Sequence, residues 1–296
     1  MKIRIGVGLG AAGASDSDAF VQAVQHMERR GFDSLWLSEV LTTGVIGTLA
    51  GLAYAAGVTR KLKLGTTITV TSRNPVRMAK ELATIDRLSN GRLLLVFVPG
   101  LSDRLEDQAL GVPVKERGAW IDEVLPLVRR LWSEDEVRHE GPRFCYDGIS
   151  LFPRPLQDPL EVWLGGTARS ALRRAGRLSD GWLPSLCTPE EAAAGRVAIE
   201  AAASEVGRGI DPEHFGISLA YAHSRIPQSQ LTRIAKRRAG VDPSTLVPVG
   251  YDALRDMLQR YIAVGFSKFV LRPADPPTSW PAELDLLADA VLPLQT

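Results

Sequence analysis

The tripeptide Gly165-Gly166-Thr167 stands between a short apolar run and a helical stretch. Glycines let the backbone approach an anion closely. A helix start offers free N–H groups and the positive end of the dipole, and Thr167 adds a hydroxyl. A tight turn with Thr167 as helix cap explains the same residues. Glu39 directly follows the apolar run 34–38, where a carboxylate can serve as a general acid or base or hydrogen-bond a substrate. A helix-capping or ion-paired glutamate is the structural alternative. The histidines, His26, His139, His214 and His223, make no metal-binding pattern, and only His223 ends an apolar run. Arg225 and Arg272 also follow such runs and can meet an anionic substrate or cofactor tail. Lys236-Arg237-Arg238 reads as a solvated helix face. The glycines between Gly6 and Gly13 lack the dinucleotide-binding spacing and read as a turn, and no Walker loop, zinc motif or nucleophile elbow is present.

These residues need elements to hold them, and the chain alternates strand and helix. Apolar runs at residues 3–9, 34–38, 63–70, 93–98, 161–164, 181–184, 215–223 and 268–271 predict strands. The run 93–98 is apolar throughout, as a strand buried on both faces should be. Between them, residues 15–30, 48–56, 75–88, 117–132, 170–178, 189–206, 252–264 and 284–292 predict helices. Pro75 opens one at the position where a missing N–H does no harm. Thr188 caps another, with Glu191 completing a capping box. Eight units of this kind imply a parallel sheet with helical crossovers and favour a (β/α)₈ barrel over an open doubly wound sheet. The rhythm breaks at 133–158, which reads as an inserted hairpin, and at 224–248, which is irregular and basic. No linker divides the chain, so one barrel domain spanning 1–296 is expected.

Composition removes other classes. With 35 basic and 34 acidic side chains the net charge is +1, which leaves no electrostatic footprint for nucleic acid or an anionic membrane. No stretch approaches the ~18–20 apolar residues of a membrane span. Cys145 and Cys187 have no metal spacing and read as reduced thiols. The N-terminus goes straight into a strand without a signal-peptide core, so a cytoplasmic protein acting on a small molecule is expected.

Several segments, in order along nearly the whole chain, resemble the luciferase-like monooxygenase superfamily of FMN-dependent and coenzyme F420-dependent oxidoreductases. They include Gly31-Phe32-Asp33-Ser34-Leu35-Trp36, Leu64-Gly65-Thr66-Thr67-Ile68-Thr69-Val70 with Arg73-Asn74-Pro75, and Asp86-Arg87-Leu88-Ser89-Asn90-Gly91-Arg92. Phe152-Pro153-Arg154-Pro155-Leu156-Gln157, Leu164-Gly165-Gly166-Thr167, Asp180-Gly181-Trp182 and Phe269-Val270-Leu271-Arg272-Pro273 continue the series. The resemblance implies a cofactor at the C-terminal ends of the strands, with its phosphate at Gly165, Gly166 and Thr167. It implies a β-bulge with a cis Thr67–Ile68 bond behind the ring, and Glu39 as the acidic residue beside it. It also implies coenzyme F420 ahead of FMN, and a homodimer. Two departures stand out. Val40 occupies a position where F420-dependent relatives often have histidine. Val96-Phe97-Val98-Pro99-Gly100 replaces Gly-Val-Gly-x-Gly, so of those glycines only Gly100 is left to border the ring. A barrel that has lost catalysis and binds a ligand or partner is therefore the third reading.

Overall fold

The computed structural model describes residues 1–10 and 16–296. Eight parallel strands form a barrel in the order β1 (Arg4–Gly8), β2 (Ser34–Ser38), β3 (Lys63–Thr69), β4 (Leu93–Val98), β7 (Val162–Leu164), β8 (Gly181–Trp182), β9 (Gly216–Tyr221) and β10 (Lys268–Pro273), with β10 returning to β1. The bridges Trp182↔Phe215 and Ser185↔Ser218 join β8 to β9 and close the ring. The (β/α)₈ expectation stands. Insertion 133–158 is the antiparallel hairpin β5 (Val137–Glu140) and β6 (Cys145–Ile149). No described helix is long and apolar enough to cross a membrane.

The crossover helices form where the apolar spacing put them: α1 (Ser17–Arg30), α2 (Thr48–Val58), α3 (Pro75–Leu88), α5 (Val114–Ser133), α6 (Arg169–Leu178), α7 (Pro189–Ser204), α9 (Tyr251–Ala263) and α10 (Trp280–Val291). Their starts follow the chemistry of the residues before them. Asp16 accepts the Ala19 N–H, Asn74 accepts that of Arg77, and Thr188 with Glu191 makes the expected capping box. Pro126 is accommodated inside α5.

Two helices lie outside those the sequence predicts. Asp103 accepts the N–H groups of Leu105 and Glu106 and starts α4 (Arg104–Leu110). Inside the second insertion, α8 (Gln228–Arg237) buries Ile234 against Ala220, Ala222, Leu246 and Val247. Ala220 lies on the inward row of β9, so α8 packs over the C-terminal end of the barrel.

The barrel interior is shut at mid-height. Trp36, Val96, Leu183 and Val270 form a buried cluster with Leu94, Val98 and Trp163 around it. Gly6 and Gly65 make room for the indole: a Cβ on Gly65 would lie 2.3 Å from the Trp36 ring, and one on Gly6 3.0 Å from it. Trp36 Nε1 donates to Ser34 Oγ at 2.9 Å, so the ring is fixed as well as packed. Below this floor a cavity of about 270 Å³ opens at the N-terminal face, between Trp36, Trp163 and Lys268. Above it lies the C-terminal mouth, the end where barrel enzymes build their sites.

Candidate active site

Parallel register places Ser38, Thr67, Val98, Gly165, Ala220 and Arg272 on the inward rows at the mouth. Their exposure runs from buried Ala220 to exposed Ser38. The mouth is thus a shallow polar cup on an apolar floor. A cleft of about 760 Å³ lies elsewhere, between the start of α3 and Ser150–Phe152, and none of these mouth residues line it.

Gly165 faces this cup. A Cβ there would meet Val98 Cγ1 at 3.3 Å and the Leu183 carbonyl at 3.4 Å. Gly166 has φ 93°, a left-handed value that favours glycine, and its carbonyl accepts the Trp182 indole N–H at 2.9 Å. Thr167 is exposed and is not the cap of the next helix. Ala168 is, and it offers no side-chain bond. The first turn of α6 carries no acid. The Ala168 carbonyl takes the N–H groups of Ala171 and Leu172, leaving the preceding amides of the turn for another acceptor. An anion fits this terminus, and the capping reading of Thr167 is corrected.

The strand-three expectation is also corrected. Among the described residues the cis bonds are Phe152–Pro153 and Asp158–Pro159, so Thr67–Ile68 is trans. β3 pairs with β2 and β4 in unbroken register through Thr67 and Ile68, with no bulge. Such a regular ladder satisfies the backbone without strain. Ile68 is fully buried and belongs to the cluster between strands and helices, so its side chain turns away from the mouth. Thr67 is half-buried and faces inward.

Strand four resolves differently from a blocked pocket. Phe97 packs outward in the strand–helix layer. Val96 and Val98 take the inward positions of the missing glycines, and Val98 forms the wall against Gly165. Gly100 has φ 90°, and a Cβ there would fall 2.6 Å from Leu110 Cδ1. Its small size serves the packing of α4.

Glu39 is nearly buried and both its oxygens are engaged. Oε2 accepts the Thr69 N–H at 2.9 Å and Oε1 pairs with Arg73, whose Nε donates to the Thr69 carbonyl at 3.0 Å. This clamp fixes the end of β3 and the turn into α3. His223 points to the outer side of β9, where it meets Glu283 at 2.9 Å beside Tyr221 and Tyr251. Cys145 is exposed and Cys187 buried, and burial pushes the Cys187 thiol up to about 12.

The arginines at the mouth are the groups that still have charge to offer. Arg272 stands on β10 above Val270, and its Cδ would lie 3.1 Å from a Cβ on Gly10. Arg233 comes from α8, and sequence reading missed it because this short helix has only Leu231 and Ile234 as large apolar residues to mark a buried face. The last glycine of the Gly6–Gly13 stretch, Gly13, lies outside the described residues. The residues fit the phosphate of a flavin-type cofactor at Gly165, Gly166 and the start of α6, and Thr67 and Val98 face the same mouth.

The luciferase-like monooxygenase family model matches residues 1–258. The F420-dependent glucose-6-phosphate dehydrogenase of Kineococcus radiotolerans is 31% identical over 178 residues, covering 56% of this chain and 51% of that one. The FMNH(2)-dependent dimethylsulfone monooxygenase of Pseudomonas fluorescens is 38% identical over 125 residues, or 41% and 34% of the two chains. The match thus spans about half or less of each relative's own length. Among solved structures, an F420-dependent secondary alcohol dehydrogenase in complex with an F420-acetone adduct superposes with a TM-score of 0.80 at 18% identity, covering 100% of both chains. A monooxygenase from Streptomyces bottropensis gives 0.80 at 22% identity, covering 99% of both. The chain belongs to the luciferase-like monooxygenase family, whose members include F420- and FMN-dependent oxidoreductases.

Proposed function

We propose that this protein is an oxidoreductase that seats coenzyme F420 at the barrel mouth and transfers hydride to or from a small organic substrate. The observation that carries the reading is the acid-free start of α6, without a side-chain cap, beside Gly165 and Gly166 at the C-terminal end of β7. Coenzyme F420 is preferred over FMN because the F420-dependent relatives align over longer stretches, 178 residues against 125. When bound, the cofactor supplies the redox chemistry. The chain's own residues do the rest. Gly165, Gly166 and the α6 amides hold the phosphate, Thr67 and Val98 orient the ring, and α8 narrows the access of water. Glu39 is assigned a positioning role, since neither carboxylate oxygen is free to move a proton.

Titration with F420 and FMN, followed by fluorescence, tests the reading. Micromolar binding of F420 with weaker binding of FMN is expected. Tight FMN binding with indifference to F420 would reverse the cofactor assignment. No binding of either at tens of micromolar would leave a barrel without flavin chemistry. Glu39→Gln separates positioning from proton transfer. It is expected to lower the unfolding midpoint while the F420 dissociation constant stays within about threefold, under 1 kcal/mol. An unchanged midpoint with lost turnover would restore Glu39 as an acid–base group.

A further inference from the structure

Most of the half-buried and buried arginines of this chain are spoken for. Arg92 donates to carbonyls at the end of α2, Arg117 to Leu101, Val112 and Asp107, and Arg129 to Leu178 and Asp180. Arg196, Arg208 and Arg238 are likewise held by carbonyls and carboxylates. Arg272 and Arg233 are different. Neither has a hydrogen bond or an ion pair among the described residues. Residues 11–15 are Ala-Ala-Gly-Ala-Ser, so no carboxylate comes from there either.

Both arginines are half-buried, and their elements meet: Arg272 pairs with Ala220 across β9 and β10, and Ala220 packs against Ile234, the residue after Arg233 in α8. Burial, then Arg272, then Arg237, push Arg233 down to about 9, and burial lowers Arg272. A guanidinium does not shed its proton at neutral pH, so the direction registers two desolvated like charges without a counter-ion. Such an arrangement is unfavourable unless an anion completes it. One turn before Arg233, on the buried face of α8, Gln230 is 7% exposed and its side-chain oxygen has no partner. That is an acceptor left for a hydroxyl.

We propose that Arg272 from the barrel wall and Arg233 from the overlying helix form a clamp for a carboxylate or phosphate group of the substrate. The substrate class is a small hydroxyl-bearing molecule with one anionic end. This rests on the reading of the mouth as the active site, with the cofactor phosphate held separately at Gly165, Gly166 and the start of α6. Guanidinium forks suit both oxyanions, because each presents parallel N–H donors to paired oxygens.

The test compares wild type with Arg272→Gln and Arg233→Gln in two assays. In the first, thermal unfolding is followed against inorganic phosphate and, separately, acetate, with sodium chloride at matched ionic strength. Ligand that binds only the folded state raises the midpoint. Wild type is expected to gain stability from phosphate or acetate beyond the chloride control, and which of the two acts names the oxyanion. Both variants are expected to lose at least tenfold in that affinity. Without added anion, Arg272→Gln is expected to melt at least as high as wild type, since an unpaired charge has gone. In the second assay, F420 affinity in both variants should stay within about threefold of wild type.

Equal anion response in wild type and variants would overturn the clamp. So would a lower anion-free midpoint in Arg272→Gln, which would reveal an internal partner. A matching loss of F420 affinity would assign the arginines to the cofactor's tail and overturn the substrate role. Loss of the anion response in the variants, in a protein that binds neither F420 nor FMN, would keep the clamp and sink the proposed function.

Discussion

Asp33→Ala is expected to destabilise the protein by about 3–5 kcal/mol, the usual range when one member of a buried ion pair is removed. Asp33 follows α1 at the N-terminal face of the barrel and its side chain is 7% exposed. Lys268 Nζ lies 3.0 Å away on the floor of β10, Lys63 at 3.4 Å and Arg4 at 3.8 Å. Lys268 is itself buried and has no other carboxylate among the described residues. Removing Asp33 strands that ammonium next to two further cations. Lys268→Met should be milder, because Asp33 keeps Lys63 and Arg4.

The pH dependence follows from the same cluster. Burial works to raise the Asp33 carboxyl, but Lys268 and Lys63 outweigh it and hold it below the ordinary value. A depressed carboxylate contributes stability that is complete above its unfolded pKa, about 3.9, and is lost as pH falls through the lower folded value. Urea unfolding of wild type and Asp33→Ala should therefore differ fully at pH 6, begin to converge only below about pH 4, and meet below the lower folded value. A gap that stays constant as pH falls well below the unfolded carboxylate value would mean that packing, not charge, is what Asp33 supplies.

Gly165→Glu is expected to weaken F420 binding at least about 100-fold, or about 2.7 kcal/mol. The substitution puts a carboxylate in the mouth, beside the α6 amides that are proposed to hold phosphate. It would act as a tethered competing anion and repel the incoming one. Gly165→Ala controls for bulk. Its Cβ would sit at 3.3–3.4 Å from Val98 and the Leu183 carbonyl, tight but short of a clash, so a loss below about tenfold is expected. Binding by Gly165→Glu at wild-type strength would show that the phosphate is seated elsewhere.

The β/α rhythm was legible because the strands are compact apolar runs and most helices keep one apolar stripe, while α2 and α7 are marked instead by small residues. The insertion at 224–248 was not. Its helix α8 is short, strongly charged, and anchored mainly through Ile234 on the barrel rather than by a long stripe of its own. The motif residues pointed to the right family for a reason separate from chemistry. Asp86 accepts the N–H groups of Leu156 at 2.7 Å and Gln157 at 2.9 Å, and so ties two of the recognised segments together. Arg92 gathers carbonyls of Ala56, Thr59 and Leu62, and Arg73 engages Glu39. Charged side chains at loops look like reagents in a sequence, yet these are braces between successive units. The groups left unpaired, Arg272 and Arg233, differ from them only in what lies nearby, and no spacing rule encodes that. The bulge at Thr67–Ile68 failed for a related reason: β-branched residues suit a bulged and a regular strand equally.

The bond from the Trp182 indole to the Gly166 carbonyl gives the molecule a built-in optical reporter. Of its six tryptophans, Trp36 and Trp163 sit around the lower cavity, and Trp132 donates to Ala79 in the helical layer. Trp182 alone among these is wired to the glycine turn at the mouth. Occupancy of that turn should shift the emission of one indole against a steady background. A Trp182→Phe variant, which removes this indole and leaves a phenyl ring in its place, should silence the response, so that ligand arrival can be timed without any added dye.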